Sequence, residues 1–466
     1  GVDPRHEVGN HRRVVLQVRV EREHDLAAHP LECRRERRRQ PQQERVARVD
    51  AGEAREVLEA LHSGQLDLLY VAPERMMKPS FLESLEHMPI ALIAIDEAHC
   101  ISEWGHDFRP DYRQLGSQIR KHWPELPLLA LTATAIPRVQ NDILRSLQLR
   151  EPVATFVSSL DRSNLHIGVK TKKAGGVTNV LADFVGTKDD NRRNRRLEES
   201  TIIYAPTRSL VEEIGQFLQA NLKDQQKNND KLVVTYHAGQ SPEDREAAHR
   251  AFLTGQSPII VATVAFGMGI DRPDIRFVCH YEMPGSVEAY YQESGRAGRD
   301  GKPAVCEMLF SYADKRVQDF FIEGANPGKE LIAEVFDLLC AESDQNHEVR
   351  RSIDDLCELI GRKVNPMAIS TSLSILARHG WIERFDIPGQ RIRGTRIREL
   401  GQSGRSLPID KVALDRKAAR DNERLKAVIE FAYAESCRQR WILDYFGEKN
   451  SARCGRCDNC KQIKNQ

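Results

Sequence analysis

The stretch Ala91–Tyr112, ALIAIDEAHCISEWGHDFRPDY, joins an apolar run to a dense group of charged and aromatic side chains. The run ALIAI has the composition of a buried strand, and it leads directly into two carboxylates, Asp96 and Glu97. Open parallel sheets bind their ligands at the carboxyl ends of their strands. The stretch therefore predicts a sheet of that kind with a reactive site at Asp96 and Glu97.

Strands and helices alternate on both sides of this stretch. From about residue 51, helices and strands follow one another in the segments EAREVLEALHSG, LDLLYVAPER, FLESLEHM, ALIAIDE, YRQLGSQIRKHW, PLLALTAT and PRVQNDILRSL. A second block repeats the alternation, with the strands STIIYAP, KLVVTYHAG, SPIIVATVA, IRFVCHYEMP and AVCEMLFS. This order predicts an α/β fold with parallel sheets covered on both faces.

The composition limits the classes of protein to which the chain can belong. Hydrophobic residues make up 40% and charged residues 29%, as in globular proteins, and the formal net charge is +1, so a nucleic-acid surface must be local. We find no signal-peptide pattern and no apolar run of membrane-spanning length, and expect no membrane partner. The expected location is the cytoplasm, in association with a bacterial nucleoid. Four of the 10 cysteines lie near the C-terminus, which favours one metal site over a disulfide framework.

The first fifty residues differ from the rest of the chain. They contain twelve arginines and no lysine, and the first lysine is Lys78. Their composition favours a disordered or non-native leader, and a basic arm for nucleic acid is the alternative. We expect residues 1–50 to make few specific contacts.

The carboxylates after ALIAI suit the hydrolysis of a nucleoside triphosphate. That reaction needs one carboxylate to hold magnesium and a group that orients or deprotonates the attacking water. Asp96 fits the first role and Glu97 the second. A DE pair is also a common helix N-cap, but here His99 follows it, and Thr132 and Thr134 end a later strand in ALTATA.

The second block supplies a complementary cationic segment. YYQESGRAGRDG places Arg296 and Arg299 on a glycine-rich stretch, where guanidinium groups can stabilise the charge of a transferring phosphoryl group. VATVAFGMGIDRPDIRFV, just upstream, delivers Asp271 to the same predicted cleft.

These segments closely resemble the RecQ family of DNA helicases in superfamily 2. The resemblance covers residue 51 to the C-terminus and implies two RecA-like motor domains, use of ATP and Mg²⁺, 3′-to-5′ unwinding of single-stranded and forked DNA, and a role in DNA repair and recombination. It implies that His99 takes part in catalysis and that nucleotide contacts come from Asp96, Gly267, Gly269, Asp271 and Gln292. It also implies that DNA contacts come from Trp104, Phe108, Arg109, Thr132 and Thr134.

The cysteines near the C-terminus form a C-x16-C-x2-C-x2-C pattern, made by Cys437, Cys454, Cys457 and Cys460. Four thiolates suit a closed tetrahedral Zn²⁺ site, which is structural because no position is left for water. Redox-active thiols are the competing interpretation. CRQRWILDYFGE and CGRCDNC resemble the zinc module of the RecQ family.

Between the motor and the cysteines, NPMAISTSLSILARHGWIERFDIPGQRIRGTRI predicts helix, turn, helix and a two-stranded wing. That order is similar to a winged helix, a common duplex-binding unit, and Arg391 and Arg393 on the wing are candidate DNA contacts. In RecQ proteins the zinc module usually precedes the winged helix, and here the order is reversed.

One expected motif is missing. ATPases of this class cradle phosphates with a glycine-rich loop that ends in Gly-Lys-Ser/Thr, and in RecQ proteins it lies upstream of LLYVAPER. No lysine precedes Lys78, so the loop has no counterpart there. We therefore expect a truncated first motor domain with an exposed apolar edge beside the strand of Asp96. Four hypotheses remain: an active helicase, a non-catalytic DNA-binding protein, a mis-started fragment of a longer enzyme, and an RNA-unwinding DEAH protein, against which the aromatic-rich segment and the cysteine module favour DNA.

The sequence thus predicts five segments. They are a leader (1–50), a partial first RecA-like domain (51–165), a second RecA-like domain (166–330), a winged-helix-like segment (331–405) and a helical zinc-binding module (406–466).

Overall fold

The computed structural model describes residues 14–18, 59, 61, 63, 68–86, 88–103, 109–173, 175–185, 199–222, 232–267, 270–387, 389, 392–399, 401–449 and 451–464. The chain divides into two compact units. Unit 1 comprises Gly1–Glu282, Glu288–Leu309 and Ala434–Gln466, and unit 2 comprises Met283–Val287 and Phe310–Tyr433. Unit 2 therefore extends beyond the predicted winged-helix-like segment at both ends, and the predicted zinc-binding module is divided after Tyr433.

The first sheet of unit 1 has the strand order β2-β1-β3-β4, and all its described pairs are parallel. Its strands are β1 (Val14–Val18), β2 (Leu68–Val71), β3 (Ile90–Ile95) and β4 (Leu128–Ala130). Its helices are α1 (Pro73–Met76), α2 (Pro79–Glu86), α3 (Pro110–His122) and α4 (Pro137–Ser146). Each helix begins at a proline, whose fixed φ angle suits the first helical turn. Ile93, Ile95, Leu115 and Ile119 are fully buried in the core beneath the sheet.

Strand β1 comes from the predicted leader. Val14–Val18 pairs with β2 on one side and with β3 on the other. This differs from the expectation of few specific contacts in residues 1–50, because VVLQV is a β-branched run able to form a central strand within an arginine-rich context. Within the described residues the strand of Asp96 has a neighbour on both sides, so the expected exposed edge beside it is wrong.

The outer strands of this sheet expose apolar side chains instead. Leu129 on β4 and Leu131 just after it are each 42% exposed, and Leu68 and Tyr70 on β2 are 41% and 40% exposed. An open apolar edge is a site for unwanted strand pairing.

The second sheet of unit 1 has the order β5-β10-β9-β6-β8-β7. Its strands are β5 (Leu165–Thr171), β6 (Thr201–Tyr204), β7 (Val233–Tyr236), β8 (Ile259–Ala262), β9 (Phe277–His280) and β10 (Ala304–Phe310). The pairs from β10 through β7 are parallel. Its helices are α5 (Val177–Val185), α6 (Arg208–Asn221), α7 (Pro242–Thr254) and α8 (Val287–Ser294). Both sheets agree with the predicted RecA-like α/β class.

Unit 2 contains a helix-turn-helix with a wing. Its helices are α9 (Lys315–Ala325), α10 (Lys329–Glu342), α11 (Ile353–Leu359), α12 (Pro366–Arg378) and α13 (Lys411–Tyr433), and its strands are β11 (Glu348–Val349), β12 (Ile382–Asp386) and β13 (Arg393–Ile397). The strands form an antiparallel sheet in the order β11-β13-β12. A capping box between Ser352 and Asp355 begins α11, and the Asn365 side chain caps α12. Phe336, Leu373 and other buried apolar side chains of unit 2 pack together in one core.

The part of unit 1 at Ala434–Gln466 is here called the cysteine segment. It forms α14 (Arg438–Tyr445) and α15 (Asp458–Lys464). It lies against β5, where the Val169 N–H donates to Asp458 Oδ2 at 2.9 Å. No helix among the described residues combines the length and apolarity that a membrane crossing requires.

Candidate active site and metal centre

Asp96 and Glu97 lie where β3 ends, as predicted. The Glu97 N–H donates to Asp96 Oδ1 at 2.9 Å. Glu97 has φ 48° and ψ 43°, a left-handed conformation that is unfavourable for a residue with a Cβ atom. Strained backbone of this kind is common where a side chain must be aimed at a ligand.

His99 connects this strand end to that of β4. Its side chain is 2% exposed, and its Nδ1 atom lies 3.2 Å from Glu97 Oε2 and 3.0 Å from Thr132 Oγ1. The Thr134 N–H donates to the same Thr132 oxygen at 3.3 Å. His99 therefore bonds to Thr132 and lies against the Glu97 carboxylate, so the predicted residues of the two strand ends meet in one place.

The two threonines, predicted to contact DNA, lie just after β4. Thr134 is 2% exposed. Thr132 is exposed, and its hydroxyl bonds to His99. Thr132 thus connects the end of β4 to the end of β3, and the DNA contact of both residues stays a prediction.

The segment Gly295–Arg299, here called the arginine segment, directly follows α8. Arg296 donates to the carbonyl of Gly267. Arg299 Nη1 donates to the Ile270 carbonyl at 2.9 Å and lies 3.4 Å from Asp271 Oδ1. The pKa of Arg299 lies below its usual value. Burial and the nearby charge of Arg296 lower it, and the carboxylate of Asp271 offsets only part of that shift.

The carboxylates at the end of β3 and the arginine segment line one cleft of about 2660 Å³ within unit 1. Asp96 and Glu97 line it from the first sheet, and Gln292, Arg296 and Arg299 line it from the second. Carboxylates facing guanidinium groups can hold a phosphate chain and its metal together. Gly267 and Asp271 also lie on the wall, as predicted.

The four predicted cysteines come together in a second site. The sulfur atoms of Cys437, Cys454, Cys457 and Cys460 all lie within 4.8 Å of one another. A tetrahedral zinc ion with Zn–S bonds of about 2.3 Å separates its sulfurs by roughly 3.8 Å, so the cluster fits zinc.

Backbone N–H groups support thiolates in this cluster. Cys454 N–H donates to Cys437 Sγ at 3.2 Å, and Cys457 N–H donates to Cys454 Sγ at 3.4 Å. Burial raises the pKa of Cys437, but hydrogen bonds from the backbone of Cys454 and Arg440 outweigh it, and the pKa falls to about 7. Burial raises the pKa of Cys454, Cys457 and Cys460, so Cys437 alone of the four favours the deprotonated form that a metal requires.

Comparison with known families decides the assignment. A DEAD/DEAH box helicase model matches residues 33–143, a helicase conserved C-terminal domain model matches residues 179–301, and a RecQ zinc-binding model matches residues 396–461. The ATP-dependent DNA helicase RecQ of Pasteurella multocida is 41% identical over 262 residues. The chain is similar to the RecQ family of DNA helicases in its helicase and zinc-binding domains.

The chain spans only part of the length of its RecQ relatives. It covers 38% of the P. multocida protein, in a match that spans 56% of the chain. The ATP-dependent DNA helicase RecQ of Bacillus subtilis is 31% identical over 409 residues, and the match covers 88% of the chain and 51% of that protein. The chain therefore spans about half or less of the length of these curated relatives.

One solved structure with a similar fold is the Mycobacterium smegmatis helicase Lhr bound to ssDNA and AMP-PNP. The likeness covers 84% of the chain and 53% of Lhr, with 16% identity and a TM-score of 0.45. A likeness of this size adds nothing to the fold assignment, which rests on the strand order.

Several residues predicted from the RecQ resemblance fall outside the described part of the chain: Trp104, Phe108, Gly269 and Arg391. Arg109 is described. It is half-buried at the start of α3, and its Nη1 atom lies 3.8 Å from Glu74 Oε1.

The winged-helix-like segment begins after the range matched by the helicase C-terminal model, and its residues 396–405 fall within the range matched by the zinc-binding model. On its wing, Arg393 Nε lies 3.1 Å from Asp386 Oδ1, and both side chains are more than half exposed. Exposed pairs of this kind contribute about 0–1 kcal/mol, so a phosphate can compete for Arg393. Arg396 and Arg398 both contact Glu383.

Three contact residues could not be found from the sequence. Arg162, Tyr291 and Glu448 line the cleft and bind backbone groups next to it. Contacts to backbone atoms leave no motif, and the partners are distant in sequence.

Proposed function

We propose that the chain is the motor and zinc-binding part of an ATP-dependent DNA helicase that moves 3′ to 5′ on single-stranded and forked DNA. The observation that carries the proposal is the shared cleft, in which Asp96 and Glu97 face the same space as Arg296 and Arg299. The direction, a role in DNA repair and recombination, and a cytoplasmic, nucleoid-associated location come from the RecQ resemblance.

The side chains of the cleft divide the work of ATP hydrolysis. Asp96 would hold Mg²⁺, which neutralises phosphate charge when bound. Glu97, oriented by His99, positions and deprotonates the attacking water. Arg296 and Arg299 stabilise the charge that spreads over the transferring phosphoryl group.

Outside the cleft, the four cysteines would hold Zn²⁺ as a structural ion. Trp104 and Phe108 are proposed to stack on unpaired bases, and Arg109 to contact phosphate. Arg393 on the wing is proposed to rest on duplex phosphates.

A second candidate is a non-catalytic DNA-binding protein. In it, the exposed wing residue Arg393 and the other proposed DNA contacts act without ATP turnover. Reading the nucleotide sequence upstream in all frames for a Gly-Lys-Ser/Thr loop tests whether a longer, active enzyme is encoded.

Measured ATP turnover separates the two candidates. We expect DNA to stimulate turnover by the unmodified chain, Glu97→Gln to abolish it, and Glu86→Gln, which alters a carboxylate paired with His122, to leave it unchanged. Equal background rates for the unmodified chain and Glu97→Gln would leave only DNA binding.

DNA binding has its own test. Affinity for a fluorescent forked DNA should fall steeply with salt, because phosphate contacts release counterions. Arg393→Ala should reduce the slope of log affinity against log salt by about 1, and Arg398→Ala, whose partner is Glu383, should change it less. A flat salt response of the unmodified chain would contradict the nucleic-acid role.

A further inference from the structure

The chain between α4 and β5 is bound by side chains from two other parts of unit 1. Leu160 N–H donates to Glu448 Oε2 at 3.1 Å, and the Leu160 carbonyl accepts from the Tyr291 hydroxyl at 2.8 Å. Ser159 Oγ donates to the other Glu448 oxygen at 2.7 Å. Both backbone polar groups of Leu160 are therefore held by distant side chains.

Arg162, two residues later, holds the backbone of the arginine segment. Its Nη1 donates to the Gly295 carbonyl at 3.1 Å, and its Nη2 donates to the carbonyls of Ala297 and Gly298 at 2.9 Å and 3.1 Å. The Gly295 carbonyl directly precedes Arg296, the Ala297 carbonyl follows it, and the Gly298 carbonyl directly precedes Arg299. One guanidinium therefore fixes the peptide units from which both cleft arginines extend.

The cysteine segment holds the backbone around Arg162. Arg456, between two of the cysteines, lies 2.8 Å from Asp161 Oδ1, and its Nε donates to the Leu165 carbonyl at 3.2 Å. Phe446 packs its ring against that of Tyr291, with centroids 5.3 Å apart. Contacts from the cysteine segment thus lie on both sides of Arg162 along the chain.

We propose that Arg162 is a positioning residue for Arg296 and Arg299, and that the cysteine segment, through Glu448 and Arg456, holds Arg162 in place. The functional meaning rests on the proposed ATPase cleft. Stabilisation of a transition state requires charges that are fixed before the reaction, and a loose backbone under Arg296 would lose that preorganisation.

The geometry excludes a simple role as a surface cation. The N–H groups of Arg162 donate to three uncharged carbonyls, each on a different residue. A lysine in its place has a point charge without the planar fork and cannot span the three carbonyls in the same way. Arg162→Lys should therefore restore only part of the order.

Hydrogen–deuterium exchange of the full chain tests the proposal directly. Arg162→Ala should speed exchange of the amides of residues 295–299 at least tenfold, and Arg162→Lys should give an intermediate rate. Glu448→Gln and Arg456→Ala should speed exchange at residues 159–165 and, to a smaller extent, at residues 295–299, with zinc content measured in parallel.

Arg120→Ala is the matched control. Arg120 also donates to three loop carbonyls, those of Gln148, Pro124 and Leu126. Its loss should lower the melting temperature by a similar amount but change exchange at residues 295–299 less than twofold. Equal effects of Arg120→Ala and Arg162→Ala at residues 295–299 would overturn the proposal.

ATP turnover separates this proposal from the function on which it rests. Arg162→Ala and Arg299→Ala should both lower the DNA-stimulated kcat for ATP at least threefold, because the arginines act on the transition state. Unchanged exchange at residues 295–299 in Arg162→Ala would refute the positioning role whatever the rates. Faster exchange with unchanged turnover in both variants would refute the ATPase cleft while the positioning of the backbone stands.

Discussion

Replacing Gly298 by alanine should loosen the arginine segment more than replacing Gly301 three residues later. Both glycines have positive φ angles, +56° and +78°. Alanine in that conformation costs roughly 1–2 kcal/mol. This strain is common to the two variants, so any further difference comes from the surroundings.

The surroundings of the two glycines differ sharply. A Cβ atom on Gly298 would lie 2.4 Å from Asn164 Nδ2 and 2.7 Å from the Lys302 carbonyl oxygen, whereas a Cβ atom on Gly301 meets nothing within 4 Å. Asn164 Nδ2 donates to the Gly298 and Lys302 carbonyls at 2.8 Å and 2.9 Å. Displacing Asn164 loses both bonds, each contributing about 0.5–1.5 kcal/mol.

Gly298→Ala should therefore cost about 2–5 kcal/mol, against about 1–2 kcal/mol for Gly301→Ala. The difference of about 1–3 kcal/mol corresponds to an opening equilibrium roughly 5 to 150 times more favourable. Native-state hydrogen exchange at Val305, whose N–H donates to the Arg276 carbonyl, reports this opening. Equal losses of protection in the two variants would refute the close approach of Asn164 to the arginine segment.

Three further outcomes are expected. Zinc content should fall as the pH drops, because protons compete with the metal for the four thiolates, and Cys437, whose pKa is lowered, should be the last of the four to take up a proton; a chelator-based zinc assay measures this. Leu129→Lys on the open β4 edge should reduce aggregation seen by light scattering and change the free energy of unfolding by less than about 0.5 kcal/mol. Phe336→Ala, at a fully buried position of unit 2, should cost about 3–5 kcal/mol in a urea titration of that unit's signal.

Much of the fold could be predicted because its signals lie in short, local stretches of the sequence. The run before Asp96 is apolar over the length of a strand, and the observed strand is Ile90–Ile95. The cysteine spacing likewise predicted a cluster that the structure brings together. In both cases the signal lies within a few residues or in a fixed spacing.

Other features could not be predicted because they depend on distant partners. Val14–Val18 is a central strand because β2 and β3 pair with it on either side. Its β-branched residues did not stand out because the residues around them are rich in arginine. The burial of Thr134 follows from packing that no motif encodes. Arg162 was missed since it binds carbonyls, which every residue type presents.

The discontinuity of unit 1 has a consequence for biosynthesis. Its cysteine segment, Ala434–Gln466, is translated only after the whole of unit 2. A nascent chain released before that point would possess both parallel sheets but lack Glu448 and Arg456, leaving Leu160 and Asp161 without their ties. The ribosome would thus finish the scaffold of the cleft well before the residues that hold its arginines in register.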